Sequence, residues 1–280
     1  MGKKSRIKNR SAKKERMPFV ARTFEGLPHE VDWIALREFV PSATATVTMV
    51  AGGKSVTVCS LLPGGGAGLV RPDGELWLGL QVVHNFGDVS RDLAHVLELA
   101  EDVEPGNPIT MTDPGVGPRL QDLLDLSASF EVEVHDGFDY WLEGVDAGED
   151  SAALLEEANE SIAPTVRLSS VEGAYWTEMG PHRYLRWVMP HDNTDLLDGL
   201  ARLQAARADT LSDDSKLIGH FRAHGLLVPV WEFEVGADAL EEPAAAFEKR
   251  LADAVADSTP LTSEQRSARS NLISRQVAIR

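Results

Sequence analysis

A single cysteine, Cys59, stands in the 280 residues. One thiol excludes an internal disulfide and any Cys-built zinc site, and it suits a reducing compartment, so a cytoplasmic protein is expected. No stretch approaches the roughly 18 apolar residues that a bilayer-spanning helix needs, so no membrane partner is expected. Secretion is not expected either. The basic start runs into MPFVARTFEGLP, where Pro18, Arg22 and Glu25 interrupt what would have to be an apolar segment. Acidic residues are plentiful but form no long block, only pairs such as Glu156-Glu157, Asp213-Asp214 and Glu241-Glu242. A mimic of nucleic-acid phosphate would need a regular array, whereas dispersed carboxylates keep a body soluble.

The motifs of catalysis are lacking too. Gly53-Lys54-Ser55 ends like a phosphate-binding loop, but Thr48 stands where that loop needs its first glycine, and SVTVCSLL after it reads as a strand rather than a helix. The glycines of PGGGAG, at 63 to 68, also lead into a strand and lack the acidic partner of a dinucleotide site. No G-x-S-x-G elbow occurs. His220 and His224 stand four apart and would share one face of a helix, a metal-binding spacing, but no Glu base lies between them. The carboxylate pairs Glu131/Glu133 and Asp136/Asp139 need no special cause in a chain with 44 acidic residues. No catalytic residue, cofactor or metal ligand is therefore assigned.

What the chain does have is segregated charge. Its first 16 residues, MGKKSRIKNRSAKKER, carry eight Lys or Arg and one Glu. Removing them from the chain's totals of 27 basic and 44 acidic residues leaves 19 and 43, so an arm of +7 is tethered to a body of −24. So charged and apolar-poor an arm cannot bury enough surface to fold alone, and a basic block beside an acidic domain reads as a tail for a polyanion. A second, smaller basic set lies near the end: Arg266, Arg269, Arg275 and Arg280 against Glu264. Its simpler reading is a helix face packed on the acidic body.

Patterning along the rest predicts an α+β protein. Residues 30–39 carry an apolar helical stripe that Pro41 stops, and TATVTMVAGGKSVTVCSLL alternates about Gly52-Gly53 as a β-hairpin. SRDLAHVLELA predicts a helix and FEVEVHDGFDYWLE one or two strands. The second half repeats the order: SAALLEEANESIAPTVRLSS as helix, proline and strand, HRYLRWVMP as a strand, TDLLDGLARLQAA as a helix, and KLIGHFRAHGLLVPVWEFEV as a short helix and a strand. Two tandem related α+β units with mainly antiparallel sheets are expected, preceded by a disordered basic arm. The boundaries read as arm 1–21, first unit 22–148, second unit 149–260 and a C-terminal helix 261–280. Pro41 matches Pro164, and Trp141 matches Trp231 in an equivalent strand. Trp77, Trp141 and Trp231 are expected in cores; Arg183, Tyr184, Arg186 and Trp187 make the one place outside the arm where arginine meets aromatics. Thr262 and Gln265 form a capping box for the last helix.

The phrases FEGLPHEVDWIALREFVP (24–41), GDVSRDLA (87–94), GPRLQDLL (117–124), GAYW (173–176), LRWVMPH (185–191) and FRAHGLLVPVW (221–231) resemble a family of actinobacterial proteins of unknown function, from about Arg22 to Arg280. Some proteins of this kind carry a Cys-rich SEC-C segment ahead of the shared region and are labelled SecA-like. Here the basic arm takes that place without cysteine, so zinc is not implied, and no ATPase motif supports a translocase. The resemblance supplies no catalytic residues.

The function expected from these features is a non-enzymatic interaction protein whose arm binds RNA, with the ribosome as partner, through Lys3, Lys4, Arg6, Lys8, Arg10, Lys13, Lys14 and Arg16. The competing expectation is an enzyme or small-ligand binder with a cleft between the two units, marked by a pocket holding His182, His191 or His220 beside a carboxylate.

Overall fold

Residues 18–144 and 149–277 are described by the computed structural model. A helix buried on every side opens the fold: α1, Glu30–Glu38, with Val31 through Leu36 all enclosed. Its surroundings are two sheets. The first is built from β1 (Ala43–Thr48), β2 (Ser55–Cys59), β3 (Gly68–Val70), β4 (Leu76–Gly79), β5 (Asn107–Ile109) and β6 (Glu133–Val134), with α2 (Val89–Leu99) before β5 and the single turn α3 (Leu120–Leu123) after it. After α4 (Glu149–Glu160) come β7 (Thr165–Arg167), β8 (Ala174–Met179), β9 (His182–Trp187), α5 (Asn193–Ala205), β10 (Lys216–Ala223) and β11 (Leu226–Phe233), the strands of the second sheet. The helices α6 (Glu241–Ala256) and α7 (Ser263–Ser274) close the chain. This is an α+β architecture, and the strand pairings are antiparallel except for β2 with β4.

The first sheet runs β5-β3-β4-β2-β1-β6. In β1 the alternation of small apolar and hydroxyl residues puts Ala43, Ala45 and Val47 inward and leaves Thr46 exposed. The inward face packs with α1 and α2 in one cluster that also takes Tyr175, Val188, Phe221, Val228 and Val230 from the second sheet. One core thus spans both sheets, with α1 between them. On the outward face, Cys59 and Trp77 are covered by Phe138, Tyr140 and Trp141 and by Leu155 of α4.

The second sheet runs β10-β11-β9-β8-β7. Its strand β11 is buried on both faces and so reads as the near-continuous apolar run LLVPVWEF. Leu226, Val228 and Val230 meet the core around α1, whereas Leu227, Trp231 and Phe233 join Phe247 and the helices on the other side. Pro229, which has no N–H to donate, falls in the gap between the Met189–Leu227 bridge and the ladder that starts at Val230 with β9. Among the described residues no helix is long and apolar enough to cross a membrane.

Three expectations need correction. The HFRAH segment is not helical: it ends β10 and turns at His224 (φ 43°) and Gly225 (φ 88°), the two positive-φ positions of a type I′ hairpin, into β11. Period-two burial of Phe221 and Ala223 against the shared core overrides the helical spacing of the two histidines. The stretch 130–143 forms only the short β6, and Asp139–Leu142 is a single 3-10 turn. There Phe138 and Trp141 stack at 4.3 Å, and the Trp141 indole and Tyr140 hydroxyl both donate to the Leu61 carbonyl. Trp141 is therefore half-buried on a turn while Trp231 is enclosed on a strand, and the two are not equivalent. The helix–proline–strand start is shared by α1–Pro41–β1 and α4–Pro164–β7, and β1-β2-β4 and β7-β8-β9 are each adjacent in order. The likeness stops at the third strand, which is parallel to its neighbour in the first sheet and antiparallel in the second.

Candidate functional site

Where the leading segment enters the fold, three distant stretches are bonded together. Asp88 caps the N-terminus of α2, accepting from the Ser90 N–H, and is fully enclosed. Arg119 Nε donates to it at 2.6 Å, and the Thr23 hydroxyl donates to its other oxygen. The Ser90 hydroxyl donates to Gln121 Oε1 at 2.6 Å and accepts from the Leu120 N–H, while Gln121 Nε2 donates to the carbonyls of Thr23 and Glu25. With donors from Thr23, Ser90 and Arg119, this buried carboxylate ties the segment at Thr23 to α2 and α3. Arg91, one turn along α2, donates to the carbonyls of Pro114, Gly115 and Pro118 and to Glu98. Its guanidinium lies so close to Gly117 that a Cβ there would stand 2.5 Å from Cζ. These groups are spent on structure.

Beside this clasp lies a groove of about 390 Å³. Residues 19–21 form one wall, Asn85 and Gly87 before α2 another, and Asn193 of α5 with Arg222, His224 and Gly225 of the hairpin the third. Asn193 Nδ2 donates to the Gly225 carbonyl at 2.8 Å and fixes the hairpin tip against α5. His224 packs its ring 5.0 Å from Phe24 and bonds Glu38 through Nε2 at 2.7 Å. Burial pushes the Glu38 carboxyl upward, but the hydrogen bond and charge of His224 outweigh it and hold the carboxyl below the ordinary range. Among the described residues no Asp or Glu lines the groove. Arg22, next to it, is held in a two-pronged pair by Glu30 at 2.7 Å, whereas Arg222 is exposed and has no bonded partner among the described residues.

A family model described as a family of unknown function, DUF5926, matches residues 23–280. The chain belongs to this family. No curated protein and no solved structure matches it. The DUF5926 region begins at Thr23 of the clasp, so it takes in the folded body and leaves the basic arm and Phe19 ahead of it.

Within the DUF5926 body, the residues that the sequence singled out are scattered. Lys3, Lys4, Arg6, Lys8, Arg10, Lys13, Lys14 and Arg16 lie outside the described residues. His220 is buried on β10, where its N–H donates to the Arg275 carbonyl and its carbonyl accepts from the Val277 N–H; burial, with Arg222 nearby, pushes the imidazole down. His224 is in the turn, so the two rings do not share a helical face. His182 is exposed and bonded to Glu232, and burial pushes the half-buried His191 down. Neither of these two nor His220 lines the groove. No group of three His, Cys, Asp or Glu among the described residues is placed to hold a metal ion. Cys59 is enclosed, and burial raises its thiol far above the reactive range. Glu131 and Glu133 line an open depression on the exposed side of β1. The arginine–aromatic patch of β9 is divided between faces: Leu185 and Trp187 point to the helices, and Arg186 lies 4.7 Å over Phe39, lowered to about 10 by burial. Of the C-terminal arginines, Arg269 pairs with Asp198, and Arg266 bonds the Leu261 carbonyl and Ser263. The sequence reading missed the groove because its walls come from four segments with no common pattern.

Proposed function

We propose that the protein is a non-enzymatic RNA-interaction protein of the cytoplasm, associated with the ribosome through its basic arm. The observation that carries this reading is the charge segregation: +7 in residues 1–16 against −24 in the rest. A body of that charge repels a polyanion overall, so most of the phosphate contact falls to the arm, and each phosphate that Lys3, Lys4, Arg6, Lys8, Arg10, Lys13, Lys14 or Arg16 neutralises releases counterions. The fold adds support in one respect. Two of its enclosed carboxylates, Asp32 and Asp88, are committed to Arg167 and Arg119, which is how a scaffold uses buried charge. As part of the same reading, the arm stands where some of the actinobacterial proteins that the chain resembles would carry a SEC-C segment.

Sucrose-gradient sedimentation of lysate tests it, comparing the full-length chain with a full-length variant whose eight arm cations are replaced by Gln. The parent chain is expected to travel with ribosomal particles at low salt and to be released as salt rises; the variant is expected at the top of the gradient. If the parent also stays at the top, the ribosome association is refuted.

A further inference from the structure

The groove beside the clasp has a composition at odds with the body around it. In a fold this acidic, its lining among the described residues carries no carboxylate and one arginine, Arg222, without a bonded partner there. Phe19, on its rim, is 77% exposed and stacks on no other ring among the described residues. Two carboxamide residues, Asn85 and Asn193, line the same space, the Asn193 oxygen being buried without a partner among the described residues. Asn85 Oδ1 accepts from the Gly87 N–H, which leaves its NH₂ group to donate, and Asn193 is fixed by its bond to Gly225. Asn85 is flanked by His84 and Phe86, whose rings stack on each other 6.2 Å apart with planes 10° from parallel. An unpaired aromatic face, a free guanidinium and amide donors are the groups that recognise an unstacked base and its phosphate. The volume falls near the lower end of small-ligand pockets, about 300–1,000 Å³, which suits one nucleotide.

Position reinforces composition. Phe19 follows Arg16, the last of the eight arm cations, by three residues in the sequence, so a strand held by that end of the arm is close to the groove. We propose that the groove seats one unstacked nucleotide of single-stranded RNA, with the base on Phe19, the phosphate on Arg222 and the base edge met by Asn85 and Asn193. This inference rests on the reading of the arm as an RNA-binding element, and it assigns the body a part in that contact.

The test uses full-length protein and a mixture of the four ribonucleoside 5′-monophosphates, which are too small to report on the arm's polyanion binding. The side-chain amide resonances of Asn85 and Asn193 are followed by NMR, with inorganic phosphate as the comparison probe. Nucleotides are expected to shift both resonances; Arg222→Gln is expected to weaken the binding about tenfold, and Phe19→Ala about fivefold or more. Phe19 and Arg222 are exposed, so neither change threatens folding. Resonances that stay fixed up to about 10 mM nucleotide, a range that covers even weak binding, overturn the proposal. Inorganic phosphate producing the same shifts at the same affinity overturns it too, since a bare anion site needs no base. A parallel titration with a labelled single-stranded oligoribonucleotide separates the two claims. Nucleotide binding without oligomer binding removes the arm reading alone. Oligomer binding that depends on the arm but ignores both groove substitutions removes the groove alone.

Discussion

The hydroxyl of Tyr175, on β8, donates a 2.7 Å hydrogen bond to Asp32, a carboxylate in the middle of the buried helix α1. Arg167 on β7 donates to the same carboxylate through Nε and Nη2, at 3.2 and 3.0 Å. A helix enclosed on all sides thereby takes one fixed position against the second sheet, which apolar packing alone specifies less sharply. Burial, and with it the charge and hydrogen bond of Asp32, raise the Tyr175 hydroxyl well above its ordinary pKa.

Asp32→Ala strands the Arg167 guanidinium and the Tyr175 hydroxyl in the interior and is expected to cost about 3–5 kcal/mol. Tyr175→Phe leaves the ion pair intact and is expected to cost about 1–2 kcal/mol. Urea unfolding of both single variants and the double variant measures this. Additive losses would show that Tyr175 and Asp32 do not act together.

Asp92, on α2, gives a pH dependence of defined sign. Burial pushes its carboxyl up, against the Phe86 N–H that Oδ2 accepts, while Oδ1 has no partner. A folded pKa above the unfolded one means that the folded state holds the proton more tightly. Stability therefore falls as pH rises from the ordinary carboxylate pKa through the raised value, and it stays reduced above that value. Asp92→Asn keeps an acceptor for Phe86 and cannot ionise. It is expected to be more stable than the parent at neutral pH and to lose that advantage below about pH 4. Thermal melting across pH checks it; an Asn variant less stable than the parent at pH 7 would contradict the assignment.

Gly219 marks where the tail docks. β10 shifts register between Leu217 and Gly219, and residues 275–277 run beside it, bonded to His220 through the Arg275 carbonyl and the Val277 N–H. They cover the exposed edge of the second sheet. A Cβ at Gly219 would overlap the Arg275 carbonyl oxygen and stand 2.7 Å from Val277 Cγ2. Gly219→Ala is thus expected to release the tail and to cost about 1–3 kcal/mol. Hydrogen exchange at the His220 and Val277 amides reads this directly, as a loss of protection confined to that edge.

Elements with strong local signals were legible in the sequence. The stripe from Val31 to Leu36 and the stop at Pro41 located α1, alternation about Gly52-Gly53 located the first hairpin, and the Thr262–Gln265 capping box located α7. The His220–His224 segment was not legible, because a two-residue turn with His at a positive-φ position lacks the Asn-Gly or Asp-Gly signature. The turn at Phe138–Leu142 escaped for a different reason: its aromatic residues look like a strand, but their partners, Cys59, Leu61 and Trp77, lie about 60 to 80 residues earlier. The groove is still less local, since Phe19, Asn85, Asn193 and Arg222 meet only once both sheets have formed. The arm needed no fold to be read, because its signal is composition.

The account stands or falls on whether the arm is what holds RNA. The most direct measurement is the affinity of the full-length chain for a single-stranded oligoribonucleotide as a function of salt, beside the variant with its eight arm cations replaced by Gln. If all eight cations meet phosphates, log affinity falls against log salt with a slope of about −5 to −6. The neutralised variant is expected to lose both the affinity at low salt and most of that slope. Equal affinity and equal slope for the two proteins would contradict the account.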